Sequence, residues 1–148
     1  MIIATTPSET AAALATGLRA LVGKLKRRLR AQSGGGDLSA TQIYTLLRLE
    51  SDGAATMSQL ARAEGMRPQS MAAILSPLQA AGHVCAAPDP RDGRQILWAL
   101  TDDCRAWLAE RRAIRQDWLT RAIEARFTPE EQARLAEAVA LLRRLADD

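Results

Sequence analysis

The segment MSQLARAEGMRPQSMAAILSPLQAAGHV, Met57 to Val84, contains two short helical patterns separated by a tight turn. The first pattern covers about 57–64 and stops at Gly65. The second covers about 68–81, has a proline at its first position and stops at Gly82. Proline suits the first helical position because the N–H that it lacks would have no intrahelical partner there. Two short helices joined in this way predict a helix-turn-helix.

A β-hairpin is predicted directly after the second of these helices. The runs HVCAAP and QILWAL have strand character, and the second run alternates apolar side chains at Ile96, Trp98 and Leu100. The segment Asp89–Arg94 separates the two runs and contains Pro90 and Gly93, which are typical turn residues. The hairpin makes the predicted helix-turn-helix a winged one.

Longer helices are predicted on both sides of this segment. Four helix starts carry a capping box, in which Ser or Thr is followed three residues later by Glu or Gln: Thr6, Ser39, Thr56 and Thr128. With the apolar periodicity, they predict further helices over about 7–31, 40–51, 102–126 and 129–146. The predicted fold class is mainly α with a small β-hairpin (α+β), a winged helix-turn-helix flanked by N- and C-terminal dimerisation helices.

The terminal helices carry apolar stripes that a chain of 148 residues leaves without a large partner. The stripe of the first helix contains Leu14, Leu18, Leu21, Val22, Leu25 and Leu29. A second copy of the chain is the natural partner for such a surface, so a symmetric homodimer is predicted.

One residue interrupts the helix-turn-helix pattern. Pro77 lies inside its second helix and removes a backbone hydrogen bond, which predicts a kink or loosening after Ser76.

The segment Met57–Val84, followed by DPRDGRQILWALT, resembles the multiple-antibiotic-resistance regulator (MarR) family of bacterial transcription factors. The wing pattern Asp-x-Arg-x-Gly-Arg is the specific part of the resemblance. It implies a helical dimerisation region at 1–36 and 102–148, and a winged helix-turn-helix DNA-binding domain at 37–101. It also implies a second helix in the major groove, a wing in the minor groove, and a repressor that a small molecule releases from a pseudo-palindromic operator.

The resemblance and the side-chain chemistry together predict the residues that bind DNA. Arg67, Gln69 and Ser70 begin the second helix, where Arg can bind guanine and Gln can bind adenine. Ser58 and Thr56 could donate to phosphate, although Thr56 also suits a plain helix cap. In the wing, Arg94 and Arg91 are predicted DNA contacts, and Asp89 is predicted to brace the turn. The alternative is that the arginines are solvated caps and the wing is a salt-bridged turn without DNA contacts.

The resemblance also places effectors among the first, second and fifth helices. Tyr44 and Trp107 are the candidate contacts there, with Arg48 as a partner for an anion. Aromatic side chains at helical spacing also fit an ordinary core, so both interpretations stay open. Trp118 is predicted to pack in the dimer.

Three departures from the family pattern leave a rival function open, and Pro77 inside the second helix of the motif is one of them. Residues 37–101 carry five basic and six acidic side chains, and Ala86 and Ala87 stand where family members often have a basic residue. The rival is a winged-helix dimer that has lost DNA binding and contacts other proteins. The excess of positive charge lies instead in the run Lys24–Arg30, which fits either a solvated helix face or a phosphate-binding surface.

Several classes of function are not expected. His83 is the single histidine, and no catalytic triad, metal cluster or phosphate-binding loop is apparent, so neither an enzyme nor a cofactor is predicted. Asp89 and Asp92 are too few oxygen ligands for a metal ion. Cys85 and Cys104 are interpreted as buried or half-buried free thiols, with a redox-sensing pair as the alternative. No signal peptide or membrane span is recognised, so a cytoplasmic protein is expected.

Overall fold

The computed structural model describes residues 8–34, 36 and 38–147. Within these residues the chain forms six α-helices and three β-strands, in the order predicted except for one additional strand. The elements are α1 (Glu9–Gln32), α2 (Ala40–Asp52), β1 (Ala55–Thr56), α3 (Met57–Ala63), α4 (Pro68–Ala80), β2 (Val84–Pro88), β3 (Ile96–Leu100), α5 (Asp102–Arg126) and α6 (Pro129–Ala146).

Three of the predicted capping boxes are confirmed. Ser39, Thr56 and Thr128 each accept a hydrogen bond from the backbone N–H three residues later, and the Gln or Glu side chain at that position accepts one in return. The fourth predicted cap, Thr6, lies outside the described residues. The described part of α1 begins at Glu9, after Ser8, whose hydroxyl accepts the N–H of Ala11.

The loosening predicted after Ser76 is wrong. Helix α4 continues through Pro77 to Ala80, and the carbonyl of Pro77 accepts the N–H of Ala81 at 3.0 Å. Proline removes one hydrogen bond from the helix, because it lacks only its own N–H. Leu75 and Leu78, on either side of Pro77, are fully buried. Their burial, at about 1.5–3 kcal/mol for each side chain, holds both turns in helical geometry.

The sheet has three antiparallel strands in the order β1-β3-β2 rather than the two predicted. In the hairpin, Val84 pairs with Leu100 and Pro88 pairs with Ile96. The missed strand β1 has two residues, too few to show an alternating pattern, and its Ala55 pairs with Trp98. The alternation predicted for β3 is wrong: Ile96 is 45% exposed, the next three residues are all half-buried, and only Leu100 of this strand is buried.

The chain divides into two compact units, one of which spans Gly35–Arg112. Its core combines apolar side chains from α2, α3, α4, the sheet and the first turns of α5: Leu46, Leu49, Leu60, Ala61, Met71, Leu75, Leu78, Val84, Leu100, Cys104 and Leu108. The winged helix-turn-helix therefore has its own hydrophobic core. This unit extends beyond the predicted boundary at residue 101 because Cys104 and Leu108 belong to that core.

The other unit consists of residues 1–34 and 113–148. None of the described residues of α1 and α6 is buried. Within this unit the guanidinium group of Arg28 lies 5.3 Å from the ring centre of Trp118. The dimerisation role that the sequence predicts for the terminal helices stays a prediction.

Candidate nucleic-acid interface

The turn between α3 and α4 fixes where the second helix of the motif begins. Gly65 has φ +64°, a left-handed conformation that glycine adopts without a steric penalty. Its N–H donates to the carbonyl of Arg62 at 3.2 Å, and the N–H of Met66 donates to the carbonyl of Ala61 at 2.9 Å. These bonds end α3, and the chain enters α4 one residue later at Arg67, the N-cap residue.

The N-terminal turn of α4 presents the predicted base-reading residues to solvent. Arg67, Gln69 and Ser70 are all exposed, whereas Met71 is fully buried and anchors the helix to the core. The Arg67 side chain makes no capping hydrogen bond, so capping does not hold its guanidinium group against the helix end. The arrangement can offer a fork of N–H donors and an amide group to base edges.

Ser58 lies beside the base of the wing. It is exposed in the first turn of α3 and lines a surface groove of about 410 Å³. The same groove is lined by Ile96 and Trp98 of β3 and by Gln95, which precedes that strand. Thr56, by contrast, is occupied as a helix cap, because its hydroxyl accepts the N–H of Gln59 at 3.1 Å. The structure thus brings Ser58 near the wing strand and gives Thr56 a structural role.

Two aspartates hold the tip of the wing. Oδ1 of Asp89 accepts the N–H of Arg91 at 2.8 Å, which is the bracing contact predicted for Asp89. Oδ1 of Asp92 accepts both the backbone N–H and the Nε–H of Arg94, each at 3.2 Å, a contact that the sequence interpretation missed. The side chain of Arg94 remains 94% exposed. The wing therefore presents Arg94 to solvent from a turn with a fixed backbone.

The three candidate effector residues do not lie together. Tyr44 and Arg48 line one surface groove of about 460 Å³ on the outer face of α2, and Trp107 is not part of it. Trp107 instead lies between two other side chains: its ring centre is 5.1 Å from that of His83 and 4.6 Å from the guanidinium carbon of Arg111. Trp107 also packs against the core, which fits the alternative interpretation of this residue as a core aromatic.

Arg48 has two acidic partners that the sequence interpretation did not identify. Its Nε donates to Glu64 at 2.8 Å and its guanidinium also pairs with Asp52 at 3.3 Å. The hydrogen bond and the charge of Glu64 raise the pKa of Arg48 above its usual value. Asp52 is four residues from Arg48 on the same helix, a spacing that predicts contact. Glu64 is sixteen residues away, so only the fold brings it to Arg48.

Comparison with known proteins is decisive for the class of this chain. The family model described as "MarR family" matches residues 36–95. The "Uncharacterized HTH-type transcriptional regulator Mb0904" of Mycobacterium bovis is 33% identical over 140 residues, which are 95% of this chain and 97% of that protein. The chain belongs to the MarR family.

Solved structures have the same fold as this MarR family protein. One is the crystal structure of a protein from Pseudomonas aeruginosa PA01 that is described as a transcriptional regulator. It has a TM-score of 0.84 and 36% sequence identity, and the match covers 96% of this chain and 99% of the other. A MepR mutant of S. aureus, bound to an oligodeoxyribonucleotide, has a TM-score of 0.70 at 18% identity and covers 89% of this chain and 97% of the other. The family model and the relatives of more than 30% identity show that this chain is a transcriptional regulator with a DNA-binding helix-turn-helix, which is not a class of enzyme.

The remaining sequence predictions concern metals, membranes and thiols. Among the described residues, no group of three or more His, Cys, Asp or Glu side chains could hold a metal ion. In the same part of the chain, no helix is long and apolar enough to cross a membrane.

Cys85 is exposed, so its interpretation as a buried or half-buried thiol is wrong. Cys104 is buried, and burial raises the pKa of its thiol. Cys85 lies on β2, where its Sγ donates to the carbonyl of Ala99 at 3.7 Å.

Proposed function

We propose that this MarR family protein acts as a homodimer that binds a pseudo-palindromic operator in double-stranded DNA and represses transcription until a small molecule releases it. The observation that carries the proposal is the exposed N-terminal turn of α4, with Arg67, Gln69 and Ser70 turned away from a buried anchor. Residues at the N-terminal end of the second helix are those that contact bases in helix-turn-helix proteins.

Each predicted contact has a separate role in this proposal. Arg67 and Gln69 read base edges in the major groove, and Ser70 and Ser58 donate to base edges or phosphates. Arg94 enters the minor groove, where a narrow groove concentrates negative potential, and Arg91 contacts the neighbouring backbone. All six side chains are exposed. The MepR mutant bound to an oligodeoxyribonucleotide shares the fold, which supports the same kind of partner for this chain.

Exposed apolar side chains on the terminal helices support the homodimer. Leu14 is 62% exposed and Leu21 is 57% exposed on α1, while Leu145 is 76% exposed on α6. Apolar residues repeated along one face of a helix favour burial against a partner. A two-fold dimer carries two copies of α4, and for this reason its operator is expected to have two related half-sites.

The proposed repressor is tested by titrating the purified protein against the DNA upstream of its own gene at two salt concentrations. Binding should weaken steeply as salt rises, because phosphate contacts release counterions, and footprinting should show two half-sites about one helical turn apart. A reporter placed behind the footprint should be silenced by the protein. A reporter that the protein activates would contradict the repressor role while leaving DNA binding intact.

A second candidate function is a winged-helix dimer that contacts proteins instead of DNA. One specific observation favours it. Residues 37–101 contain five basic and six acidic side chains, so this segment has no excess of positive charge. The exposed Ala86 and Ala87 of β2 also offer no charge to a phosphate. The absence of DNA binding at low salt would support this second function.

A further inference from the structure

We propose that the surface groove on the outer face of α2 binds a small organic cation with an apolar body, and that this cation competes with Arg48 for Glu64. The groove, called the α2 groove below, is lined by Tyr44, Leu47, Arg48, Ser51, Asp52 and Glu64. The coupling to DNA described below rests on the proposed function, whereas the binding of the cation does not.

The apolar part of the α2 groove is open to solvent. Tyr44 is 54% exposed and Leu47 is 39% exposed, although both lie on a helix whose opposite face is fully buried. An aromatic face beside an aliphatic side chain can hold the ring or chain of a ligand, and the face of a tyrosine ring also attracts a cation. The volume of about 460 Å³ is sufficient for a ligand of moderate size.

The charge of the groove selects the sign of the ligand. Arg48 is its one basic side chain among the lining residues, and two carboxylates, Asp52 and Glu64, converge on it. The lining therefore has one excess negative charge. An anion would have to displace a carboxylate from Arg48 and would be repelled by the other one. A cation can take Glu64 while Arg48 keeps its contact with Asp52, so no charged group loses its partner.

Glu64 connects the α2 groove to the start of α4. It follows the last residue of α3, and its N–H donates to the carbonyl of Leu60 at 3.1 Å. Gly65 and Met66 follow it, and Arg67 is the N-cap residue of α4. A cation that turns Glu64 away from Arg48 acts three residues from Arg67. The ion pair between Arg48 of α2 and Glu64 at the end of α3 is then replaced by a pair between Glu64 and the ligand. This exchange changes the geometry of the turn between α3 and α4.

The binding experiment uses the full chain and benzyltrimethylammonium, with phenylacetate as an anion of similar size. Calorimetry should give a dissociation constant for the cation that is at least about tenfold lower than for the anion. The amide signals of Glu64, Gly65 and Met66 should shift in nitrogen–proton spectra. Equal affinity for the two probes, or no binding of the cation up to about 10 mM, would overturn the proposal.

Three variants and one control make the test specific. Glu64→Gln and Tyr44→Ala should each weaken cation binding, the first by about tenfold. Arg48→Gln should strengthen it, because Glu64 no longer has to leave a partner. The control is Glu50→Gln, which removes an acid of the same helix that pairs with Arg112 outside the groove. An equal loss in Glu50→Gln and Glu64→Gln would show a general charge effect and overturn the site.

The coupling is measured separately with DNA. The cation should weaken the binding of operator DNA by the parent protein and leave the Glu64→Gln variant unaffected. Cation binding that leaves DNA affinity unchanged would overturn the coupling through Glu64. If the chain binds no DNA at all, the proposed function fails, but the calorimetric result with the cation still decides whether the groove is a ligand site.

Discussion

Oδ1 of Asp92 accepts two hydrogen bonds from Arg94, one from the backbone N–H and one from Nε, each at 3.2 Å. The first bond fixes the backbone of the wing tip, and the second orients a side chain that remains 94% exposed. An exposed ion pair of this kind contributes at most about 1 kcal/mol, so DNA phosphates can replace Asp92 at low cost. The wing thus holds an arginine in position without sequestering it.

Arg94→Ala should weaken operator binding and leave the fold intact. The loss of one phosphate or minor-groove contact should lower the slope of log affinity against log salt by about 1. The free energy of unfolding should change by no more than about 0.5 kcal/mol, because the side chain is at the surface. Arg134→Ala on α6 is the matched control. Parent-like binding of the Arg94 variant at moderate salt would mean that the wing is a structural turn only.

Asp89→Ala should act on the shape of the wing and not on its charge contacts. The bond from the N–H of Arg91 would be lost, which costs about 0.5–1.5 kcal/mol. We expect weaker operator binding with an unchanged salt slope, since both arginines remain. Hydrogen exchange at Arg91 should become faster, and a decrease in salt slope equal to that of Arg94→Ala would contradict the bracing role.

Arg67→Ala and Gln69→Ala should each relax the preference for the base at one defined position. The expected cost is about 1–3 kcal/mol on the preferred operator, because a side chain that makes two hydrogen bonds to one base is removed. Binding measured against operators with every base at each position checks this. If either variant weakens specific and nonspecific DNA equally, that residue contacts the phosphate backbone instead.

The helices of this chain are predictable because their start signals are local. Ser39, Thr56 and Thr128 each lie three residues from a Gln or Glu, and each forms the capping box that this spacing predicts. The bounds of α5 and α6 agree with the prediction because Asp102 follows a Thr that caps the helix and Pro129 fixes the first turn.

The features that were missed depend on pairing between distant residues. Strand β1 has two residues and is defined only by its hydrogen bonds to β3. Arg48 and Glu64 meet because α2 packs beside the end of α3, and no periodicity in the sequence links them. One missed contact is an exception, because it is local. The N–H of Arg94 donates to Oδ1 of Asp92 at the i to i+2 spacing of an Asx turn, as the N–H of Arg91 does to Asp89, so the sequence was sufficient to predict it.

Leu142→Asp combined with Leu145→Asp should convert the proposed dimer to a monomer. These side chains are 40% and 76% exposed in the single chain, so their replacement removes apolar surface from an interface rather than from the core. Sedimentation at micromolar concentration measures the result, and operator affinity should fall with it. Ala133→Asp, on the opposite face of α6, is the matched control and should leave the dimer intact. A parent protein that sediments as a monomer would contradict the homodimer itself.

Pro77→Ala should stabilise the protein without changing its operator preference. Proline inside a helix costs up to about 3 kcal/mol, because it lacks an N–H and crowds the preceding turn. Here α4 continues past Pro77, so alanine can donate the missing hydrogen bond to the carbonyl of Ala73 in the existing geometry. Pro77 is exposed, and its replacement therefore leaves no cavity in the core. We expect the free energy of unfolding in urea to rise by about 1–2 kcal/mol, less than the full cost because alanine also makes the unfolded chain more flexible.

Ser76→Ala is the control for a change at the neighbouring exposed position. Because the proposed base contacts lie in the N-terminal turn of α4, the ranking of operator sequences should be the same in both variants as in the parent. An unchanged or lower stability for Pro77→Ala would mean that proline's restriction of the unfolded chain outweighs the hydrogen bond that it removes.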